Sequence, residues 1–142
     1  MSKERSNGAL LDTHTWIWLF NGSKELSQQT IDAIDNWGKQ GKVFVSAISV
    51  WELSMLVAKQ RVVLSKPIKQ WVKESLSQPG INLENLSPEI AIESSFLPGK
   101  FHGDPADRII CATSRIDNLT LFTRDKKILE YGNTKYIHCA PV

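Results

Sequence analysis

The chain has 142 residues, 42% hydrophobic and 23% charged, with a formal net charge of +2, values ordinary for one globular domain. A charge this small implies no partner by itself. No apolar run approaches the roughly 18 residues of a membrane span, the polar start holds no signal-peptide core, and Cys111 and Cys139 make no disulfide framework, so a cytoplasmic protein is expected.

Residues 1–7 read as a flexible lead-in, and residues 8–142 as a single domain. Residues 8–12 read as a short buried strand ending in Asp12. Residues 14–20, rich in Trp, read as a short helix, and Asn21-Gly22-Ser23 as a turn. Residues 27–39 form the next predicted helix, with Ile31, Ile34 and Trp37 on one face. Residues 43–46 are the second strand. A helix is expected from Ser49 to about Gln60, striped by Val50, Leu53, Leu56 and Val57. Another covers 68–77 and is stopped by Pro79-Gly80.

Residues 81–86 are the third strand. Ser87-Pro88 opens a helix with a capping Ser and a first-turn Pro, and Pro98-Gly99 ends it. After the loop 100–103, Asp104-Pro105 opens a helix reaching Asn118, with Ile109, Ala112, Thr113 and Ile116 facing inward. Residues 119–123 are the fourth strand, 126–131 a short helix, and 136–138 a last strand. Strands alternating with helices imply a parallel sheet with right-handed crossovers. The expected fold is therefore α/β: three layers, with a central, mainly parallel sheet of four to five strands covered on both faces.

Four acids lie at or just after strand-to-helix switches: Asp12, Glu52, Asp107 and Asp125. Open α/β sheets build their sites beyond the carboxyl ends of the strands. Four carboxylates meeting there repel one another unless a cation sits among them, and hard divalent ions such as Mg²⁺ prefer oxygen ligands. Each acid also has a bland reading. Ser49 to Glu52 is a capping-box pattern. Asp104 is a candidate N-cap, and Asp107 a first-turn acid favoured by the helix dipole. Asp125 and Asp12 are candidate caps of the helices that follow them.

Asp12 is the hardest to explain as a cap alone, because it ends a buried strand. Thr13, Ser49 and Thr123 are candidates for outer-shell or phosphate contacts. Arg108 and Arg124 adjoin candidate ligands, and either has the forked donors to clamp a phosphate, although surface ion pairing is the commoner use. Trp18 and Trp51 read as core or interface packing residues, whereas Trp16 stays open between packing and base stacking. A zinc site from His102, Cys111, His138 and Cys139 fits none of the usual spacings.

Four ordered segments carry a resemblance across nearly the whole chain. They are Leu10-Leu11-Asp12-Thr13-His14, then Ser46 through Leu53, then Phe101 through Thr113 with its His102-Gly103-Asp104-Pro105-Ala106-Asp107-Arg108 block, and Leu121-Phe122-Thr123-Arg124-Asp125. Together they resemble the PIN-domain nucleases, specifically the VapC-type toxins of toxin–antitoxin pairs. The resemblance implies a compact α/β/α PIN-like fold and Mg²⁺- or Mn²⁺-dependent cleavage of RNA. It also implies a homodimer and a cognate antitoxin. Asp12, Glu52 and Asp107 then match the core acids and Asp125 the variable fourth, while Asp104 is taken as a cap or outer-shell residue. Many relatives carry an acid three residues after the Asp125 position, where this chain has Ile128.

Such a nuclease would carry salt-sensitive backbone contacts on a basic rim; Lys59, Arg61, Lys100, Arg108, Arg124 and Lys126 are candidates. Three rivals remain at this point. A haloacid-dehalogenase-type phosphatase wants a second acid where His14 stands. A receiver-like signalling domain wants paired acids early and a Lys after the last strand. A protein-binding scaffold would have lost the acids that this chain keeps.

Overall fold

The computed structural model describes residues 5–142. Its elements are, in chain order, β1 (Ala9–Leu11), α1 (Thr13–Phe20), α2 (Gln28–Lys39), β2 (Val43–Ser46), α3 (Ala47–Ala58) and α4 (Ile68–Leu76), followed by β3 (Ile81–Glu84), α5 (Pro88–Ser95), α6 (Pro105–Asp117), β4 (Thr120–Thr123), α7 (Lys126–Gly132) and β5 (His138–Pro141). The five strands form one sheet in the order β3-β2-β1-β4-β5. Every pairing is parallel. Chain order reverses between β1 and β4, which creates the crevice where α/β proteins place their sites.

Side chains alternate across the sheet. Leu10 and Leu121 face one way and join Ile90, Ile110, Cys111, Ile128 and Tyr131 in a core under α5, α6 and α7. Ala9, Leu11, Val43, Val45 and Phe122 face the other way and meet Trp16, Ile34, Leu53 and Trp71 from α1 to α4. These two cores are what make the molecule three layers deep, as the sequence predicts. Among the described residues, no helix is long and apolar enough to cross a membrane.

Several boundaries depart from the sequence reading, each for a local reason. The helix expected from Ser49 begins at Ala47, because Ser46 is its cap and accepts from the Ile48 N–H at 3.2 Å. The last strand is His138–Pro141 rather than 136–138. Lys135 turns the chain at φ 68° and Ile137 drops into the core, so pairing with β4 starts only at His138. Pro141 is tolerated because β5 is an edge strand. The third strand stops at Glu84.

On α6 the buried set is wider than the predicted face. It includes Ile110, Cys111 and Ser114, while Ile109 and Ile116 sit at its margin.

Of the expected lead-in, residues 1–4 lie outside the described residues. Asn7 N–H donates to Asn118 O at 2.8 Å, and Asn118 Nδ2 donates to Arg5 O at 2.8 Å. Asn118 closes α6 in the left-handed region at φ 54°, a conformation that Asn accepts more readily than most residues. Gly80 sits at φ 86°, and a Cβ there would lie 2.2 Å from Gly38 O. Only glycine lets the entrance to β3 pass so close to the end of α2.

Candidate active site

A cleft of about 390 Å³ opens at the carboxyl end of the sheet. It is lined by Asp12, Glu52, Asp104, Asp107 and Asp125, together with Thr13, His14, Trp18, Ile110 and Arg124. All four acids singled out in the sequence, and Asp104 beside them, therefore face one space.

Asp12 leaves β1 and caps α1: its Oδ1 accepts from the Thr15 N–H at 2.9 Å. Its Oδ2 accepts from the Thr123 hydroxyl, which in turn accepts from the Asp125 N–H at 3.0 Å. One threonine at the end of β4 thus ties the acid after β1 to the backbone of the acid after β4. Thr15 Oγ1 donates to Phe122 O at 3.0 Å, which pins α1 to β4. Asp12 is only 8% exposed, so its carboxylate is held rigidly.

Glu52 is not a first-turn cap. With α3 starting at Ala47, it lies in the second turn, and the Ser49–Glu52 capping box does not form. Ser49 is fully buried instead, with its Oγ 2.9 Å from Thr13 Oγ1. Thr13 also reaches Glu52 Oε1. A hydroxyl carries one proton, so Thr13 donates to the carboxylate and accepts from Ser49. This relay aims Glu52 from α3 toward α1.

Asp104 caps α6, accepting from the Asp107 N–H at 2.9 Å. Asp125 caps α7, accepting from the Ile128 N–H at 3.1 Å. The capping readings of Asp12, Asp104 and Asp125 are therefore correct as far as they go. Capping occupies one carboxylate oxygen and leaves the group facing the cleft.

The loop before α6 is tightly drawn. A Cβ on Gly103 would lie 2.3 Å from the Phe101 ring and 2.9 Å from Asp107 Cβ.

The electrostatics are those of an anion cluster. Burial, then the charges of Asp104, Asp125, Glu52 and Asp12, push the Asp107 carboxyl up from its ordinary 3.8 to about 7. Protonation or a bound cation relieves this repulsion. Oxygen donors of this kind suit a hard divalent ion. Among the described residues, no three of these carboxylates are already drawn together closely enough to hold one ion. The donor set fits such an ion, and its approach would draw the set inward against the repulsion.

Both arginines are engaged within the protein, and for Arg124 the commoner expectation, a surface ion pair, holds with Glu25. Arg108 donates through Nε to Ser94 O and through Nη1 to Phe101 O, both at 2.8 Å, bracing α5 and the following loop against α6. Arg124 donates through Nε to Val142 O at 2.9 Å, through Nη1 to Glu25 Oε1 at 2.7 Å and through Nη2 to Glu25 O at 2.6 Å. Neither presents an open fork. The tryptophans are also redistributed. Trp16 is fully buried against Trp71, their ring centroids 5.0 Å apart, whereas Trp51 is 57% exposed.

His14, Trp18 and Ile110 line the cleft although no chemistry in the sequence singled them out. For His14 and Trp18 the signal was the helix period: once α1 starts at Thr13, positions 14 and 18 share a face beside Asp12.

Residues 9–133 match the family model of the PIN domain. The chain is 31% identical over 126 residues to Ribonuclease VapC22 of Mycobacterium tuberculosis, covering 89% of this chain and 93% of that protein. Among solved structures it is similar to a toxin–antitoxin complex from Klebsiella pneumoniae, at 28% identity and TM-score 0.58 over 84% of this chain and 88% of the other. VapBC2 from Rickettsia felis, solved with promoter DNA, shares the fold at TM-score 0.67 and 18% identity, over 94% of this chain and 97% of the other. These matches set aside the phosphatase and receiver-like readings: the chain belongs to the PIN domain family.

Proposed function

We propose that this chain is a divalent-metal-dependent endoribonuclease acting as the toxin of a toxin–antitoxin pair. The observation that carries the reading is the convergence of Asp12, Glu52, Asp104, Asp107 and Asp125 on one cleft at the switch point of the sheet. A relative named as a ribonuclease and a structural neighbour named as a toxin–antitoxin complex support the substrate class and the partner.

Asp12, Glu52 and Asp107 are the residues that would hold Mg²⁺ or Mn²⁺, with Asp125 as the fourth. The ion would activate water and offset charge on the attacked phosphodiester, leaving a 5′-phosphate and a 3′-hydroxyl. The chain's own part is positioning. Thr123 fixes Asp12 against β4, and Thr13 with Ser49 holds Glu52 in place. Asp104 keeps the first turn of α6, and with it Asp107, at the cleft. Without a cation the five carboxylates repel phosphate. Exposed Lys59, Arg61, Lys100 and Lys126 supply salt-sensitive contacts to the RNA backbone outside the cleft.

The test is cleavage of single-stranded RNA by purified protein with Mg²⁺ or Mn²⁺, by wild type and by Asp12→Asn. Asn keeps the Oδ1 acceptor for Thr15, so the fold should survive. Cleavage is expected only for wild type and only without chelator. Full activity of Asp12→Asn, or activity in excess chelator, would overturn the reading.

A further inference from the structure

His14 and Trp18 are a second kind of chemistry in the same cleft. They stand four residues apart on α1, so they lie one turn apart on one face. Their ring centroids are 5.7 Å apart and tilted by 49°. His14 is exposed and Trp18 half-buried. Trp18 belongs to neither apolar core, so its ring is not there to fill the interior.

What holds the indole is Arg124, whose guanidinium carbon lies 4.5 Å from the ring centroid. That cation is itself fixed by its bonds to Glu25 and Val142. A phosphate-gripping arginine would keep its fork free. This one spends its donors on the protein and its face on Trp18.

We propose that His14 and Trp18 form a base-stacking shelf that grips a nucleotide next to the cleaved phosphodiester, with Arg124 as the positioning residue that fixes the indole. The proposal rests on the RNA-cleaving function proposed above and adds a substrate subsite to it. Every base has a π face, so such a shelf would bind without reading sequence. Anchoring by Arg124 removes rotamer freedom from the indole before the base arrives, which lowers the ordering cost of binding.

The test is steady-state cleavage of one single-stranded oligoribonucleotide with Mn²⁺, in versions carrying a single abasic nucleotide walked along the strand. Stacking on one aromatic ring is worth about 1–3 kcal/mol, or roughly 5- to 150-fold. Trp18→Ala is expected to raise KM within that range, with the loss falling on KM rather than kcat. Trp18→Phe should restore most of it, which separates stacking from a folding defect. An abasic nucleotide at one position next to the cut should cost wild type a similar factor and cost Trp18→Ala little more. Arg124→Ala should weaken KM in wild type and have little effect in the Trp18→Ala background.

If wild type cleaves but Trp18→Ala and His14→Ala leave KM unchanged, or the abasic and Trp18→Ala losses simply multiply, the shelf is wrong while the nuclease reading stands. If wild type cleaves no RNA with any divalent ion, the function itself has failed and the shelf with it.

Discussion

Replacing Asp107 by Asn should stabilise the metal-free protein and cripple the metal-bound one. The Asp107 carboxyl is raised from 3.8 to about 7, first by burial and then by four neighbouring acids. A shift near three units corresponds to at most about 4 kcal/mol at 1.36 kcal/mol per unit. Asp107 is only partly buried, so screening by water reduces this to about 1–2 kcal/mol.

The sign follows from linkage. A raised native value means the unfolded state releases the proton first. The stability contributed by the neutral group is complete below about pH 4 and is lost as pH climbs toward 7. Asn mimics the neutral acid at every pH. Among the described residues the Asp107 carboxylate accepts no hydrogen bond that Asn would forfeit, and its backbone N–H stays held by Asp104.

Thermal unfolding in chelator should therefore show equal melting temperatures near pH 4. By pH 8 the variant should melt roughly 2–8 °C higher, using 2–4 °C per kcal/mol for a chain of this size. Adding Mn²⁺ at pH 8 should reverse the order, since saturation to 100 times Kd stabilises by about 2.7 kcal/mol and only wild type keeps the ligand. An Asp107→Asn protein that melts below wild type at pH 8 in chelator would refute the electrostatic account. One that gains as much from Mn²⁺ would refute the ligand role.

Three further substitutions probe the supports of the cleft. Thr13→Val keeps the shape but removes the hydroxyl that links Glu52 to Ser49; Mn²⁺ affinity should fall about 10- to 100-fold, read by calorimetry. Gly103→Ala would drive a methyl group into the Phe101 ring and Asp107 Cβ; cleavage should fall at least tenfold, together with a drop of a few degrees in melting temperature. Asp125→Asn retains an oxygen to cap Ile128, so its melting temperature in chelator should not fall. Its Mn²⁺ affinity should fall about tenfold, and unchanged affinity would confine Asp125 to capping.

Much of this architecture was readable because strand ends and helix starts carry local signals. Asp12 ends an apolar run, and Asp104-Pro105 is a cap followed by a first-turn proline, so the elements bearing both acids could be placed without the fold. Ser49 was misleading for a physical reason. It matches the capping-box pattern, but Ser46, three residues earlier, leaves the strand in extended geometry and captures the helix start. Once that happened, Ser49 turned inward to Thr13. A contact across 36 residues leaves no periodic trace.

The arginines illustrate the same limit. Arg124 stands next to a candidate ligand, so adjacency left a phosphate clamp open beside the commoner surface ion pair, without saying which acid would supply that pair. Its actual partners are Glu25, 99 residues away, and the ring of Trp18. Trp16 and Trp18 look alike in sequence. Two residues on a helix are about 200° apart, so one enters the core and the other meets the cleft.

The most direct test of the central claim is a calorimetric titration of Mn²⁺ into metal-free wild type and Asp12→Asn, both checked for native fold. Wild type should bind with proton release near pH 7, because the Asp107 carboxyl, raised to about 7, must ionise to take the cation. Asp12→Asn should bind at least tenfold more weakly. Equal binding by both proteins, or no binding by wild type, would contradict the claim that these carboxylates form a metal site.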